Sequence, residues 1–166
     1  MNIFKRILDI VYPYKCGICG KINEKSLCNR CYLRLKDLQR LKIIDIYNKN
    51  FTELISIFEY KGLIRDKILE YKFNDKAYLY NTFVNFLLKN EKVCRKIKKY
   101  DIILPIPISN KKKKTRGYNQ SSLIAKNLAY KLNIEYREDI IIKTKENLTQ
   151  SELRERRERR KCKRCI

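Results

Sequence analysis

The chain contains no histidine and no tryptophan, and only four glycines and three prolines occur among its 166 residues. Without histidine, Ser–His–Asp triads, Cys–His nucleophiles and every zinc site with a histidine ligand are excluded. No apolar stretch approaches the roughly 20 residues that span a bilayer, and the N-terminus does not have the pattern of a secretory signal. We therefore expect a cytoplasmic protein in which any metal ion is held by sulfur or carboxylate.

Positive charge dominates the composition. Forty lysines and arginines face 18 aspartates and glutamates, which gives a formal net charge of +22. This excess is larger than solubility requires and predicts a polyanionic partner or substrate whose phosphates the protein contacts. The abundance of Lys, Ile, Asn and Tyr is also the pattern that an AT-rich coding sequence produces, so part of the charge has that alternative explanation.

The pattern of apolar residues divides the chain into four segments. Residues 1–11 have the spacing of an amphipathic helix, 12–40 form a turn-rich cysteine unit, 41–160 form a larger unit, and 161–166 are a short tail. Within the larger unit the sequence predicts three strands and three helices: strands at Glu53–Tyr60, Asp101–Pro107 and Ile134–Ile142, and helices at Leu63–Phe73, Lys76–Leu88 and Leu123–Leu132. A continuous apolar strand, a helix and a second apolar strand in succession predict an α/β unit with a parallel sheet buried on both faces.

Four cysteines in the second segment have the spacing of a metal site. They follow the pattern C-x2-C-x8-C-x2-C and are Cys16, Cys19, Cys28 and Cys31. Each pair can direct two thiolates at one ion from a tight turn, and Gly17 and Gly20 are expected to allow positive φ there. Four thiolates saturate zinc, so the sequence predicts a small structural zinc ribbon. A redox C-x2-C motif and plain buried cysteines are the alternatives.

The remaining cysteines do not fit that motif. Cys94 stands alone in a basic segment and is expected to be an inert thiol. Cys162 and Cys165 form a third pair near the end of the chain, with no second pair beside it.

The segment from Ser109 to Gln120 is the best candidate for contact with phosphate. It follows the predicted strand at Asp101–Pro107 and leads into a helix, where backbone N–H groups and the helix dipole favour an anion. We predict a basic loop over Lys111–Arg116. The candidate phosphate ligands are Ser109, Lys114, Arg116, Gly117, Asn119 and Gln120, and the candidate nucleic-acid contacts are Lys111, Lys112, Lys113, Lys114 and Tyr118. A solvated lysine run is the alternative for Lys111–Lys114.

Several motifs together resemble the ComF family of competence-associated proteins, which are related to type I phosphoribosyltransferases. The matching motifs are the four cysteines, Phe58–Gly62, Lys72-Phe73, Pro105-x-Pro107 followed by Arg116-Gly-Tyr-Asn-Gln120, and Thr149, Gln150, Ser151, Leu153 and Arg157. The resemblance implies a zinc ribbon followed by a type I phosphoribosyltransferase-like domain, in a family linked to DNA uptake and single-stranded DNA during transformation. It also implies that Ser109–Arg116 faces the pyrophosphate of phosphoribosyl pyrophosphate, which binds with Mg²⁺, and that 149–157 belongs to a mobile hood. A protein of the competence machinery is a further expected partner.

The chain departs from this pattern at the 5′-phosphate loop, which in type I phosphoribosyltransferases follows two adjacent acids. The adjacent pair Glu138-Asp139 precedes the apolar run Ile140–Ile142 instead of following one, and no Thr-Thr-Gly loop occurs. We expect an incomplete, C-terminally truncated domain without catalytic activity, in which Cys162 and Cys165 are products of a shifted reading frame. The alternatives are a zinc or nucleic-acid contact made by the tail, a zinc-ribbon module that binds single-stranded nucleic acid, and a working phosphoribosyltransferase.

Overall fold

The computed structural model describes residues 15–48 and 51–144. The predicted helix over 1–11, the segment 149–157 and the tail 161–166 with Cys162 and Cys165 lie outside the described residues. None of the helices in the described ranges has the length and apolar character needed to cross a bilayer.

The described residues form a mixed helix and strand structure. The helices are α1 (Asn29–Leu38), α2 (Gly62–Phe73), α3 (Leu79–Leu88), α4 (Glu91–Ile97), α5 (Asn110–Arg116) and α6 (Gln120–Leu132). The strands are β1 (Gln39–Asn48), β2 (Phe51–Phe58), β3 (Ile102–Ile103) and β4 (Glu135–Tyr136). Helices α2, α3 and α6 confirm the three predicted helices, although α3 begins at Leu79, after a turn, rather than at Lys76.

Strands β1 and β2 form an antiparallel hairpin that places Ile43 opposite Ile55 and Ile44 opposite Leu54. The sequence predicts β2 but not β1. Ile44 and Leu54 are about half exposed, whereas Phe58 at the end of β2 packs against the core. The hairpin is therefore anchored at its base.

Strands β3 and β4 confirm the predicted parallel pairing, but only two residues of each strand take part. The expectation of strands buried on both faces is wrong: Ile102 and Leu104 are more than a third exposed, and Ile140–Ile142 are exposed and lie outside any strand. Pro105 follows β3 closely and has no N–H to extend a ladder. Within the described ranges this ladder has two strands with α6 packed on it, so side chains that do not face α6 remain in solvent.

One hydrophobic core joins the cysteine region to the helices that follow it. Cys16, Leu35, Ile64 and Phe86 belong to a single buried cluster. The Phe86 ring on α3 lies 4.9 Å from that of Phe58 between centroids. Residues from both sides of the predicted boundary at 40/41 thus pack together.

Candidate metal centre and nucleic-acid interface

Two local structures position the four cysteines. Cys16 and Cys19 lie on a tight turn in which the Gly20 N–H donates to the Cys16 carbonyl at 2.8 Å, and Gly20 has the expected positive φ of 73°. Cys28 is the N-cap residue of α1, and Cys31 lies in the first turn of that helix. The cluster therefore joins a turn to the start of a helix.

The geometry of the four thiols suits a metal ion. Their Sγ atoms all lie within 4.8 Å of one another, and the Cys19 and Cys28 Sγ atoms are 4.0 Å apart. For tetrahedral Zn–S bonds of about 2.3 Å, neighbouring sulfurs stand about 3.8 Å apart. Cys16 is fully buried and Cys31 is 5% exposed. Four cysteines this close can bind a metal ion such as zinc, in a site with no open coordination position.

Backbone amides prepare the cluster to carry negative charge. Burial by itself would raise the pKa of Cys16, but hydrogen bonds from the backbone N–H groups of Cys19, Cys28 and Ile18 outweigh it and lower the pKa to about 6. Burial, followed by hydrogen bonds within the cluster, raises the pKa of Cys31. The Cys16 thiol therefore ionises more readily than the Cys31 thiol, and a metal ion bound by all four thiolates must displace the protons that remain.

The turn at Cys16 and Cys19 packs directly on α3 through Gly17. A Cβ at Gly17 would clash with Thr82 Oγ1 and would stand 2.7 Å from Leu79 Cδ2. The Thr82 hydroxyl in turn donates to the Ser26 carbonyl at 2.8 Å, and the Asn85 amide donates to the Ser26 hydroxyl at 2.7 Å. The expectation of positive φ at Gly17 is wrong, because positive φ occurs at Gly20, Gly62 and Gly117. Close approach of the α3 side chains is what requires glycine at position 17.

Cys94 lies outside this cluster, on α4. Its Sγ contacts the Leu88 carbonyl oxygen at 3.4 Å, and burial raises the pKa of its thiol. These properties agree with the inert thiol predicted from sequence.

The basic segment is helix α5, so the predicted loop over Lys111–Arg116 is wrong. The Ser109 side chain accepts a hydrogen bond from the Lys112 N–H at 3.4 Å and caps the helix, and Gly117 ends it with φ of 73°. Lysine is a good helix former, so a capping serine followed by a lysine run is itself a helix signal. Lys111, Lys113 and Lys114 are exposed on this helix. Lys113 Nζ lies 3.7 Å from a Glu138 carboxylate oxygen.

Both predicted phosphate ligands that follow Gly117 form hydrogen bonds with other parts of the protein. Asn119 is buried, caps α6 by accepting from the Ser121 N–H at 3.0 Å, and donates to the Ile106 carbonyl at 3.1 Å. Gln120 is also buried, and its side-chain amide donates to the Lys72 carbonyl at 3.4 Å. These two amides therefore hold α6 against the strand end and against the end of α2.

Two tyrosines complete this connection. The Tyr118 hydroxyl donates to the Tyr71 carbonyl at 2.6 Å, and the Tyr71 hydroxyl donates to the Gln120 carbonyl at 2.7 Å. Burial raises the pKa of the Tyr118 hydroxyl, with Asp75 contributing, so this donor remains protonated at neutral pH. Arg116, a predicted phosphate ligand, contacts an aromatic ring: its guanidinium carbon lies 4.8 Å from the centroid of the Phe73 ring. Phe73 belongs to the Lys72-Phe73 motif, but its contact with Arg116 is not predicted from sequence.

A cavity of about 330 Å³ lies between residues 105–110 and 138–143. Asn110, Lys113, Asn119 and Glu138 are among its lining residues. A hydrogen bond from the Tyr136 hydroxyl is the main factor that lowers the pKa of Glu138, and Lys113 also contributes. An anion in this cavity would therefore be repelled by the ionised carboxylate of Glu138, which lies next to Lys113.

Comparisons with known proteins agree with the motifs. Competence protein F of Haemophilus influenzae is 25% identical over 144 residues, which cover 84% of this chain and 57% of that protein. Competence protein ComFC of Bacillus subtilis is 26% identical over 112 residues, which cover 66% of this chain and 43% of that protein. The chain thus spans about half the length of the curated relatives it matches. No family model and no solved structure matches.

The described residues define a class of protein in which a four-cysteine centre is attached to a basic unit of helices and strands. The similarities to these two proteins confirm the resemblance to the ComF family of competence proteins.

Proposed function

We propose that this chain is a ComF-type competence protein that handles single-stranded DNA during DNA uptake, on the cytoplasmic side. The observation that carries the proposal is the row of exposed lysines on α5, Lys111, Lys113 and Lys114. Lysine contacts with phosphate release counterions and provide affinity without sequence preference. The overall charge of +22 acts in the same direction by attracting a polyanion over long distances.

The four-cysteine cluster has a structural part in this function. Cys16, Cys19, Cys28 and Cys31 would hold zinc, which would crosslink the turn before α1 to the helix itself. A protein of the competence machinery is a further partner in this proposal.

Within α5, Lys111 and Lys114 are the residues best placed to bind DNA. No ion pair involves either of them within the described ranges, whereas Lys113 faces Glu138. Among the described residues no carboxylate competes with DNA phosphates for these two ammonium groups, so they can exchange bound counterions for phosphates.

A salt titration tests DNA binding. Fluorescence anisotropy with labelled oligothymidylate should show the logarithm of the binding constant falling linearly with the logarithm of the salt concentration. Each phosphate contact contributes about 0.7 to the steepness of this slope, so the double variant Lys111→Ala, Lys114→Ala should make the slope shallower by about 1.4. The matched control replaces Lys126 and Lys131, two exposed lysines of α6, with alanine and removes the same charge. Absence of binding at low salt would refute the proposal, and so would equal losses in the two double variants.

Within the proposal, the phosphoribosyltransferase-like unit does not catalyse phosphoribosyl transfer. Its adjacent acids are engaged by neighbouring residues: Glu138 accepts from Tyr136 at 2.7 Å, and Asp139 pairs with Arg137 at 2.7 Å. Neither acid is followed by a phosphate-binding loop in the sequence. Mg²⁺ is required only if phosphoribosyl pyrophosphate binds.

The absence of catalysis is tested by incubating the purified chain with phosphoribosyl pyrophosphate, Mg²⁺ and a mixture of nucleobases. We expect the concentration of phosphoribosyl pyrophosphate to fall no faster than in a sample without protein, because the sequence contains no Thr-Thr-Gly-type loop that could cradle the 5′-phosphate. Consumption that requires Mg²⁺ and scales with protein concentration would show that the chain is a working phosphoribosyltransferase.

A further inference from the structure

Phe73 at the end of α2 is an aromatic side chain exposed on a basic surface. It is 57% exposed, although its ring is contacted by the Arg116 guanidinium at 4.8 Å. Its neighbour Lys72 is exposed and makes no ion pair within residues 15–48 and 51–144. An exposed aromatic ring that carries a cation on one side is the arrangement with which proteins stack single-stranded bases and contact the adjoining phosphate.

The guanidinium of Arg116 is held in place by the protein. Its Nη1 donates to the Gln120 side-chain oxygen at 3.3 Å, and the buried Gln120 amide is itself bonded to the Lys72 carbonyl. Phe73 and Arg116 thus lie at the ends of two helices that are already tied together. A ligand that binds there does not have to order the Arg116 side chain, which lowers the entropic cost of binding.

Tyr118 is less suited to stacking. Its hydroxyl donates to the Tyr71 carbonyl, and its ring lies 6.0 Å from the Tyr71 ring between centroids. To stack on a base, Tyr118 would have to break the connection between α2 and α6, whereas Phe73 already faces solvent. Phe73 is therefore better placed to stack on a base than Tyr118, the aromatic residue among the nucleic-acid contacts predicted from sequence.

We propose that Phe73 and Arg116 form a base-stacking site for single-stranded DNA, an inference that rests on the proposed function. The base lies on the exposed part of the Phe73 ring, while Arg116 and Lys72 contact the flanking phosphates. Because every base has an aromatic face, this site does not select sequence. Asp75 lies close enough to Tyr118 to raise the pKa of its hydroxyl, so the DNA backbone should pass on the side away from this carboxylate.

The first test separates bases from phosphates. Phe73→Leu keeps an apolar side chain of similar size and is expected to weaken binding of an oligothymidylate of about 20 nucleotides by about tenfold, while leaving binding of an abasic oligonucleotide of the same length unchanged. Tyr130→Leu is the matched control, because Tyr130 is 84% exposed but lies about 15 Å along α6 from Gln120. Equal losses for the two oligonucleotides, or no loss for Phe73→Leu, would overturn the stacking site.

The second test uses the absence of tryptophan from this chain. Phe73→Trp places a single indole at the site, and its fluorescence is expected to be quenched by oligothymidylate but not by the abasic strand. In Tyr130→Trp the fluorescence should be unaffected by either strand. Unquenched Phe73→Trp fluorescence at saturating oligothymidylate would exclude stacking.

These outcomes distinguish the two proposals. If the unmodified protein binds oligothymidylate and the Phe73 variants behave like the Tyr130 controls, the stacking site is wrong and the function in DNA binding stands. If the unmodified protein does not bind oligothymidylate at low salt, both proposals fail.

Discussion

Removal of the zinc ion that we propose for the four-cysteine cluster is expected to unfold residues 15–38 and to lower the melting temperature of the whole chain. Zinc bound by four thiolates contributes about 10–16 kcal/mol in small zinc domains, and α1 begins at two of the ligands. Because Cys16 belongs to the same core as Phe86, the loss should extend to α3. We expect Cys16→Ser to reduce bound zinc from about one ion per chain to near zero. The melting temperature should fall by at least about 10 °C, which corresponds to a loss of about 3 kcal/mol. Metal analysis and thermal circular dichroism measure the two effects.

Cys94→Ser is the matched control for this experiment. It also replaces a cysteine with serine, but Cys94 is only partly buried and lies on α4 outside the cluster. It should keep the full zinc content. A zinc content near zero in the reduced, unmodified protein would contradict the metal site itself, and equal zinc loss in the two variants would contradict the assignment of its ligands.

Gly17→Ala is expected to destabilise the protein by about 3 kcal/mol, the upper end of the usual cost of overpacking a core. The new methyl group would enter the space filled by Thr82 Oγ1 and would stand 2.7 Å from Leu79 Cδ2. Leu79 and Thr82 are both fully buried on α3, so neither side chain can move into empty space to make room for the methyl group. Urea unfolding followed by circular dichroism gives the change in free energy.

Two controls separate crowding from backbone strain. Gly20→Ala places a methyl where no atom lies within 4 Å, and its expected cost of about 1–2 kcal/mol comes from positive φ alone. Combining Gly17→Ala with Thr82→Ala relieves the closest clash, so the two free-energy changes should sum to more than the measured change of the double variant. Strict additivity would show that the turn does not pack on α3 as described.

The parts of the fold that could be predicted from sequence are those encoded by local patterns. The spacing of apolar residues predicts α2 and α6, and the two C-x2-C pairs predict that four thiols meet. The lysine run conceals α5 because its charge suggests a loop, although the Ser109 cap and the Gly117 end are both present in the sequence. Strand β1 is missing from the sequence prediction, although Ile43, Ile44 and Ile46 form an apolar, β-branched run of the kind that favours a strand.

The contacts around Arg116 and Gln120 could not be predicted from sequence. Their partners at Tyr71, Lys72 and Phe73 are more than 40 residues away in the chain, so the spacing of residues 116–120 contains no information about them. The same limit applies to Gly17, because a glycine in a metal-binding turn suggests backbone freedom until the neighbouring helix is known. Sequence identifies the residues of the candidate site, and tertiary packing decides which of them face solvent.

The parallel ladder of β3 and β4 has a consequence for the order in which the chain can fold. Its two hydrogen bonds, from Glu135 to Asp101 and from Arg137 to Ile103, each join residues 34 positions apart. Closing a loop of that length costs about 3 kcal/mol of chain entropy, whereas two hydrogen bonds provide about 2 kcal/mol. The ladder cannot nucleate the fold by itself and must form after Leu128 and Ala129 of α6 have packed, so β4 depends on the helix that precedes it.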